Sequence, residues 1–311
     1  MTTDGISVEN PQKAYELTEA VATEAARVAA TFKVSPALDE RDHLLGHSIN
    51  KMKRPPLTAA KGYIVGGHHD AAQVKEQMDR LGLGAEHKRI LEFACGYGRV
   101  TRHLKVLAHE SLLYASDIHP EACAFVEEKI GVVARQSTVI PQELDVGRNY
   151  DFIFVLSLFS HLPERTFGPW LSALYGILNP GGALLFTVHG QFALDRLHPS
   201  FTEKFYEKEK GFGFRPSSEQ HDLDASEYGT AVACVNFVSH ELAHFAVGCE
   251  IEWFRSGVWF GLQDEWIIMK PRPAGPGNPA RRVRARRPIA SGGSRWSRAA
   301  RRCCCARGAI T

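Results

Sequence analysis

From position 89 onward the apolar residues fall into short runs, each followed by a stretch with helical periodicity. Ile90-Leu91-Glu92-Phe93-Ala94 has the pattern of a strand covered on both faces, and Val100, Leu104 and Leu107 then line one side of a helix. Comparable runs lie near 112–117, 132–136, 151–157 and 183–188, with helical stretches near 98–108, 119–130 and 164–177. This alternation predicts a parallel sheet with right-handed crossovers and helices on both faces. A helix over 239–247 leads to a terminal hairpin, 250–258 and 263–269. The expected class is α/β: a doubly wound, mostly parallel seven-stranded sheet with an antiparallel last strand.

Upstream, residues 11–32 read as a helix with proline in its first turn and an alanine-rich face. Pro36, the basic stretch 51–56 and the glycines from Gly62 to Gly67 punctuate the next part of the chain. A second helix is expected over 71–81, with Asp70 as its N-cap and Gly82 at its end. After the fifth strand, residues 191–232 break the rhythm, with Phe201, Phe205, Tyr206, Phe212 and Phe214 set among charges. An insert here lies over the C-terminal ends of the strands, where ligands bind, and is expected to act as a lid. The chain divides into a helical extension (1–60), the α/β domain (61–270) and a tail (271–311).

The turn after the first strand, Cys95-Gly96-Tyr97-Gly98, is built from small residues that let a ligand approach the backbone, and the helix start supplies N–H donors. Nineteen residues after Gly98, the second apolar run ends in Asp117, a carboxylate placed to hold a ribose diol. A dinucleotide site wants a third glycine where Thr101 stands. Glu92 would repel a pyrophosphate but suits a ligand with positive charge, such as the sulfonium and ammonium of S-adenosylmethionine.

On these residues the stretch Glu92-Phe93-Ala94-Cys95-Gly96-Tyr97-Gly98 resembles the first motif of the class I S-adenosylmethionine-dependent methyltransferases, with Ala94 at the first glycine. Residues 149–163, the Pro180-Gly181-Gly182 turn entering 183–188, and 263–269 resemble the family's later strands, so the resemblance spans about 63–270. It implies a Rossmann-like fold and S-adenosyl-L-methionine as cofactor. The implied contacts are Glu92, Ala94, Cys95, Gly96, Gly98, Asp117, Ile118, Ser137 and Leu156, with Gln136 and Ser157 beside them. Cys95 is expected to serve there as a small residue, not as a nucleophile. Tyr63 resembles an aromatic that some members place over the cofactor. The nearest type is the bacterial methyltransferase domain found beside glycosyltransferases, which implies a small-molecule or glycan acceptor. A nicotinamide-dependent oxidoreductase and a non-catalytic Rossmann domain are the alternatives.

Composition sharpens this. The formal charge of +2 hides an acidic body: the tail from Pro271 holds eleven of the 37 basic residues and none of the 35 acids, leaving 26 against 35, or −9, before it. That argues against a nucleic-acid groove in the domain. The tail, with three consecutive cysteines at Cys303 to Cys305 and no apolar periodicity, is expected to be disordered. No apolar stretch approaches a membrane span, no signal-peptide layout opens the chain, and the remaining cysteines are isolated, which predicts a cytoplasmic protein. No feature sets an oligomeric state.

A hydroxyl acceptor needs a base, and His161 after the fourth strand and His189 at the end of the fifth are the candidates. No metal is expected: the side chains of His68-His69-Asp70 diverge, and His43 with His47 makes only a pair. Asp151 should face the strand N-termini, away from the ligand.

Overall fold

The computed structural model describes residues 13–84, 87–197, 199–218, 220 and 222–273. In chain order the elements are α1 (Glu19–Phe32), α2 (His43–Asn50), α3 (Pro56–Arg80), β1 (Arg89–Phe93), α4 (Thr101–Leu107), β2 (Leu112–Asp117) and α5 (Pro120–Phe125), which runs on into a π-helical turn, then β3 (Val133–Gln136), β4 (Tyr150–Val155), α6 (Glu164–Gly176) and β5 (Leu178–Val188). The insert holds α7 (Gln191–Leu194), α8 (Pro199–Phe205), β6 (Tyr206–Glu207), β7 (Phe212–Arg215) and β8 (Thr230–Ala233). The chain closes on α9 (Val235–Phe245), β9 (Glu250–Trp259) and β10 (Gln263–Met269).

Seven strands form one sheet in the order β3-β2-β1-β4-β5-β10-β9, parallel from β3 to β5, with β10 antiparallel to both its neighbours. Strand order reverses at β1, so the crevice beyond the C-terminal ends of β1 and β4 is the switch point at which such sheets bind ligands. Both faces are apolar, as the continuous runs require. Phe152 and Phe154 pack under α3 and α4, while Ile153 and Val155, next to them along β4, pack under α6 and α9. Asp151 lies at the far end, where it accepts from the Arg89 backbone N–H (2.9 Å) and the Asn179 amide (3.0 Å) and ties together the starts of β1, β4 and β5.

Several expectations need correction. The first helix begins at Glu19, capped by Thr18, because Ala14 and Tyr15 donate their N–H groups to the Glu40 carbonyl instead. Gly62, Gly66 and Gly67 do not interrupt anything: α3 runs through them for 25 residues. Gly67 is there for contact, since a Cβ would come within 2.3 Å of the Arg99 carbonyl oxygen where α3 crosses the first turn of α4. Asp70 is not a cap; it is buried mid-helix and accepts from Arg99 Nη2 at 2.6 Å. The boundary expected at residue 60 falls inside α3, and α1, α2 and the first half of α3 share one apolar cluster around Val28, Leu45 and Tyr63. The insert carries a three-stranded antiparallel sheet, β6-β7-β8, and two of its aromatics face inward: Phe201 and Phe212 are buried, the latter 4.4 Å from Phe237 of α9. The tail beyond Pro273 lies outside the described residues. Among the described helices none is long and apolar enough to cross a membrane.

Candidate active site

The turn leaving β1 alternates left-handed residues, with φ of 61° at Ala94, 52° at Gly96 and 68° at Gly98. Each has its own reason. A Cβ at Gly98 would strike Ile130 at 2.2 Å, so the turn can pack under the end of the α5 extension only as glycine. At Gly96 a Cβ would meet nothing within 4 Å, so the backbone there borders open space that a ligand can approach. Ala94 holds the conformation with a methyl group, at a cost of about 1–2 kcal/mol.

Glu92 is buried beneath this turn, and its Oε2 accepts from the Thr101 hydroxyl at 2.6 Å. Burial foremost, helped by the charges of Asp117 and Asp70, pushes its pKa up to about 8 against the pull of Thr101 and Arg99. A carboxyl in this state is poised to ionise when a cation arrives. Pairing of β1 with β2, and of β2 with β3, sets Asp117 beside the turn and opposite Gln136. Asp117 Oδ2 accepts from the Gly96 N–H (2.7 Å), and the Ser137 N–H donates to the Asp117 carbonyl (2.8 Å). The Gln136 amide donates to the Ile118 carbonyl (3.2 Å). Leu156 packs at the end of β4. Glu92, Ala94, Cys95, Gly96, Gly98, Asp117, Ile118, Ser137 and Leu156 thus lie around the ends of four adjacent strands. Cys95 is buried with its thiol pushed well above its usual range, first by desolvation, so it acts as a small residue there. Tyr63 packs elsewhere: its hydroxyl donates to Asp42 (2.6 Å) and the Arg102 guanidinium covers its ring.

Beyond β4 and β5 a second polar group gathers. His161 is buried, its ring stacked on Tyr228 at 4.4 Å, and Nδ1 lies 2.6 Å from the Gly229 carbonyl oxygen. His189 Nδ1 lies 3.2 Å from the Ala231 carbonyl, and the two imidazole centroids are 6.4 Å apart. Alternate carbonyls leading into and along β8 therefore orient both rings. Gln263, at the start of β10, joins the cluster: its amide lies 2.8 Å from Ser157 Oγ and 3.4 Å from His189 Nε2, and its carbonyl accepts from Thr187 (2.6 Å). Neither Gln263 nor Thr187 was predicted. The available signal was the polar run Gln263-Asp264-Glu265 opening an otherwise apolar strand. His68, His69 and Asp70 each have other partners, Phe32, Gln73 and Arg99.

Three comparisons bear on identity. Residues 91–184, from within β1 into β5, match the family model described as a methyltransferase domain. Among solved structures, an S-adenosylmethionine-dependent methyltransferase from Clostridium acetobutylicum is 13% identical, covers 72% of this chain and 96% of its own, and superposes with a TM-score of 0.47. The magnesium protoporphyrin IX methyltransferase of Synechocystis, solved with SAH bound, is 15% identical over 68% of this chain and 86% of its own, TM-score 0.48. A sugar N-methyltransferase from Streptoalloteichus is 17% identical over 65% and 87%, TM-score 0.46. No curated protein matches. The family match covers the motif turn, Glu92, Asp117 and the strands that place them, and it sets the nicotinamide reading aside. Residues 91–184 are by this match a methyltransferase domain, and S-adenosylmethionine is the cofactor such a domain uses.

Proposed function

We propose that this methyltransferase acts on a small-molecule or glycan acceptor held between the ends of β4 and β5 and the 191–232 insert, with His161 or His189 as the base. The observation that carries the reading is the orientation of the two histidines. In each, Nδ1 faces a carbonyl oxygen and must be the protonated nitrogen, which leaves the basic lone pair on Nε2. At His189 that nitrogen also faces the Gln263 amide. One of these two rings is the group to take a proton from an acceptor hydroxyl. The net charge of −9 before the tail supports an acceptor that is not a polyanion.

The cofactor residues fit their ligand. The open side of Gly96 admits it, and Glu92 and Asp117 are acceptors suited to a cation and a diol. S-adenosylmethionine, when bound, supplies a methyl group on a sulfonium. Asp117 would hold the ribose hydroxyls, Glu92 would balance positive charge, and the turn from Ala94 to Gly98 would shape the floor. Ile118, Ser137 and Leu156 would flank the base. Alignment of acceptor and methyl donor contributes several kcal/mol of barrier lowering. A cytoplasmic setting fits the thiols of Cys95, Cys123, Cys234 and Cys249, all free.

The test is methyl transfer to a panel of nucleotide sugars and small hydroxylated acceptors. With an acceptor in hand, either His161→Ala or His189→Ala should turn over about a hundredfold slower or worse while retaining cofactor affinity. Wild-type rates in both variants would refute the base assignment.

A further inference from the structure

Asp117 is buried under two elements that come from distant parts of the chain. His119, two residues on, occupies the N-cap of α5, where a small polar side chain would ordinarily cap the helix, yet it makes no cap hydrogen bond. Its ring turns back instead. Nδ1 lies 2.9 Å from Asp117 Oδ1, and Nε2 lies 3.0 Å from Oδ2 of Asp222, which belongs to the insert. The same Asp222 oxygen is 3.2 Å from His43 Nε2 at the start of α2. A ring with a carboxylate on each nitrogen carries both protons: burial pulls its pKa down, but the two acids push it up to about 10. Asp222 responds in kind. Burial alone would raise its carboxyl, and the hydrogen bond from His119, with the His43 ring close by, holds it far below the usual range. The side chains are only 9% exposed at His119 and 12% at Asp222. Asp222 Oδ1 is also buried and takes no hydrogen bond.

The extension covers the same corner by a second route. Ala37 packs against the apolar cluster that includes Cys95 and Tyr97, and the Arg41 guanidinium lies over the Tyr97 ring. The insert, the extension and the strand end carrying Asp117 therefore meet at one chain of contacts, Asp117–His119–Asp222–His43.

We propose that His119 and Asp222 form a latch holding the insert and α2 closed over the ribose end of the cofactor site, so that cofactor uptake and release both require the Asp222 contacts to break. The proposal rests on the assignment of Asp117 to the ribose. Asp222 and His43 sit on the covering elements while His119 and Asp117 sit at the end of β2, so parting the covers separates Asp222 from His119 and leaves Asp117 in place. His119 is a positioning residue: it orients the Asp117 carboxylate and passes the insert's position to it.

The test measures association and dissociation rates of S-adenosylhomocysteine on the full chain by surface plasmon resonance. Asp222→Asn keeps the shape and removes the charge. Both rates should rise about tenfold, the scale of one charge-assisted hydrogen bond, with their ratio changed less than about twofold. A merely structural role would not move both rates together. Rates unchanged in folded Asp222→Asn would overturn the latch. So would a faster release with unchanged association, which would make Asp222 a direct ligand contact. Should Asp222→Asn fail to fold, His43→Gln removes one of the two contacts and reads the same way: parallel rises sustain the latch, and unchanged rates sink it. Asp117→Ala tests the underlying assignment separately. It should weaken affinity about tenfold or more, and unchanged affinity there would overturn the ribose role whatever Asp222 does.

Discussion

Glu92→Gln separates the cost of the cofactor site from its use. At pH 7 the folded chain holds Glu92 protonated, with a pKa of about 8, whereas the unfolded chain titrates near 4.5. Keeping that proton against the solution costs about 3 kcal/mol at pH 7. Glutamine removes the cost and still accepts from the Thr101 hydroxyl. Its amide N–H groups gain no described acceptor, which offsets about 1 kcal/mol of that. The net expectation is a gain of about 1–3 kcal/mol at pH 7 to 8. The sign follows from a raised pKa: the protonated carboxyl's contribution is complete below pH 4.5 and is lost as pH rises through about 8. The two proteins should therefore be nearly equal in stability at pH 4.5, diverge up to pH 8, and run parallel above it. Urea unfolding across that range reads the difference directly, and S-adenosylmethionine titration calorimetry supplies the second arm. Wild type should release a proton on binding at pH 7, detectable as a dependence of the heat on buffer ionisation enthalpy. The variant should release none from this site and bind about tenfold or more weakly. A variant that is no more stable than wild type at pH 8, or that binds equally well, would refute the argument.

Three further outcomes rest on single contacts. Arg102→Leu should cost about 3–5 kcal/mol in urea unfolding, because the buried guanidinium donates to the carbonyls of Ser35, Ala37, Tyr97 and Gly98, and leucine keeps only the backbone N–H bond to Gly98. Ala94→Gly should leave binding intact and gain up to about 1 kcal/mol, the relief of left-handed strain less the entropy glycine adds to the unfolded chain. A chain ending at Pro273 should keep its melting temperature within about 2 °C by differential scanning calorimetry, since the last strand is already closed off by Lys270, whose ammonium caps the carbonyls of Tyr175, Gly176 and Leu178.

The parallel core could be read from the chain because strands covered on both faces leave unbroken apolar runs, and β1, β2 and β4 each begin within a residue of where those runs place them, while β5 begins five residues earlier, at Leu178. The motif turn was equally legible, since its requirements are local: small residues, then an acid at the next strand end. The failures concern features that depend on distant partners. Gly62, Gly66 and Gly67 have the composition of a break, and the approach of the Arg99 backbone explains why the helix keeps glycine at 67. Asp70 before an alanine pair looks like a cap until Arg99, 29 residues on, supplies a counter-charge. Gln263 and Asp222 reach Ser157 and His119 across more than a hundred residues of chain. No local pattern marks such residues. Their membership of the site comes from the fold.

The same dependence on distant partners bears on the role of the N-terminal extension. A buried arginine whose hydrogen-bond partners are all carbonyl oxygens stabilises whatever backbone it gathers, and Arg102 gathers two segments: the motif turn at Tyr97 and Gly98, and the stretch after α1 at Ser35 and Ala37. Withdrawing residues 1–60 would remove the apolar cluster that packs the first half of α3 and two of the acceptors that make a buried guanidinium tolerable. The left-handed turn, which already carries strain at Ala94, would then be pinned by an arginine with only two of its four acceptors. The extension is therefore part of the cofactor corner in the energetic sense, although the family match begins only at residue 91. A catalytic domain cut at the boundary the sequence suggests would be expected to lose cofactor affinity before it lost its sheet, because the sheet is held by its own two apolar layers and the turn is not.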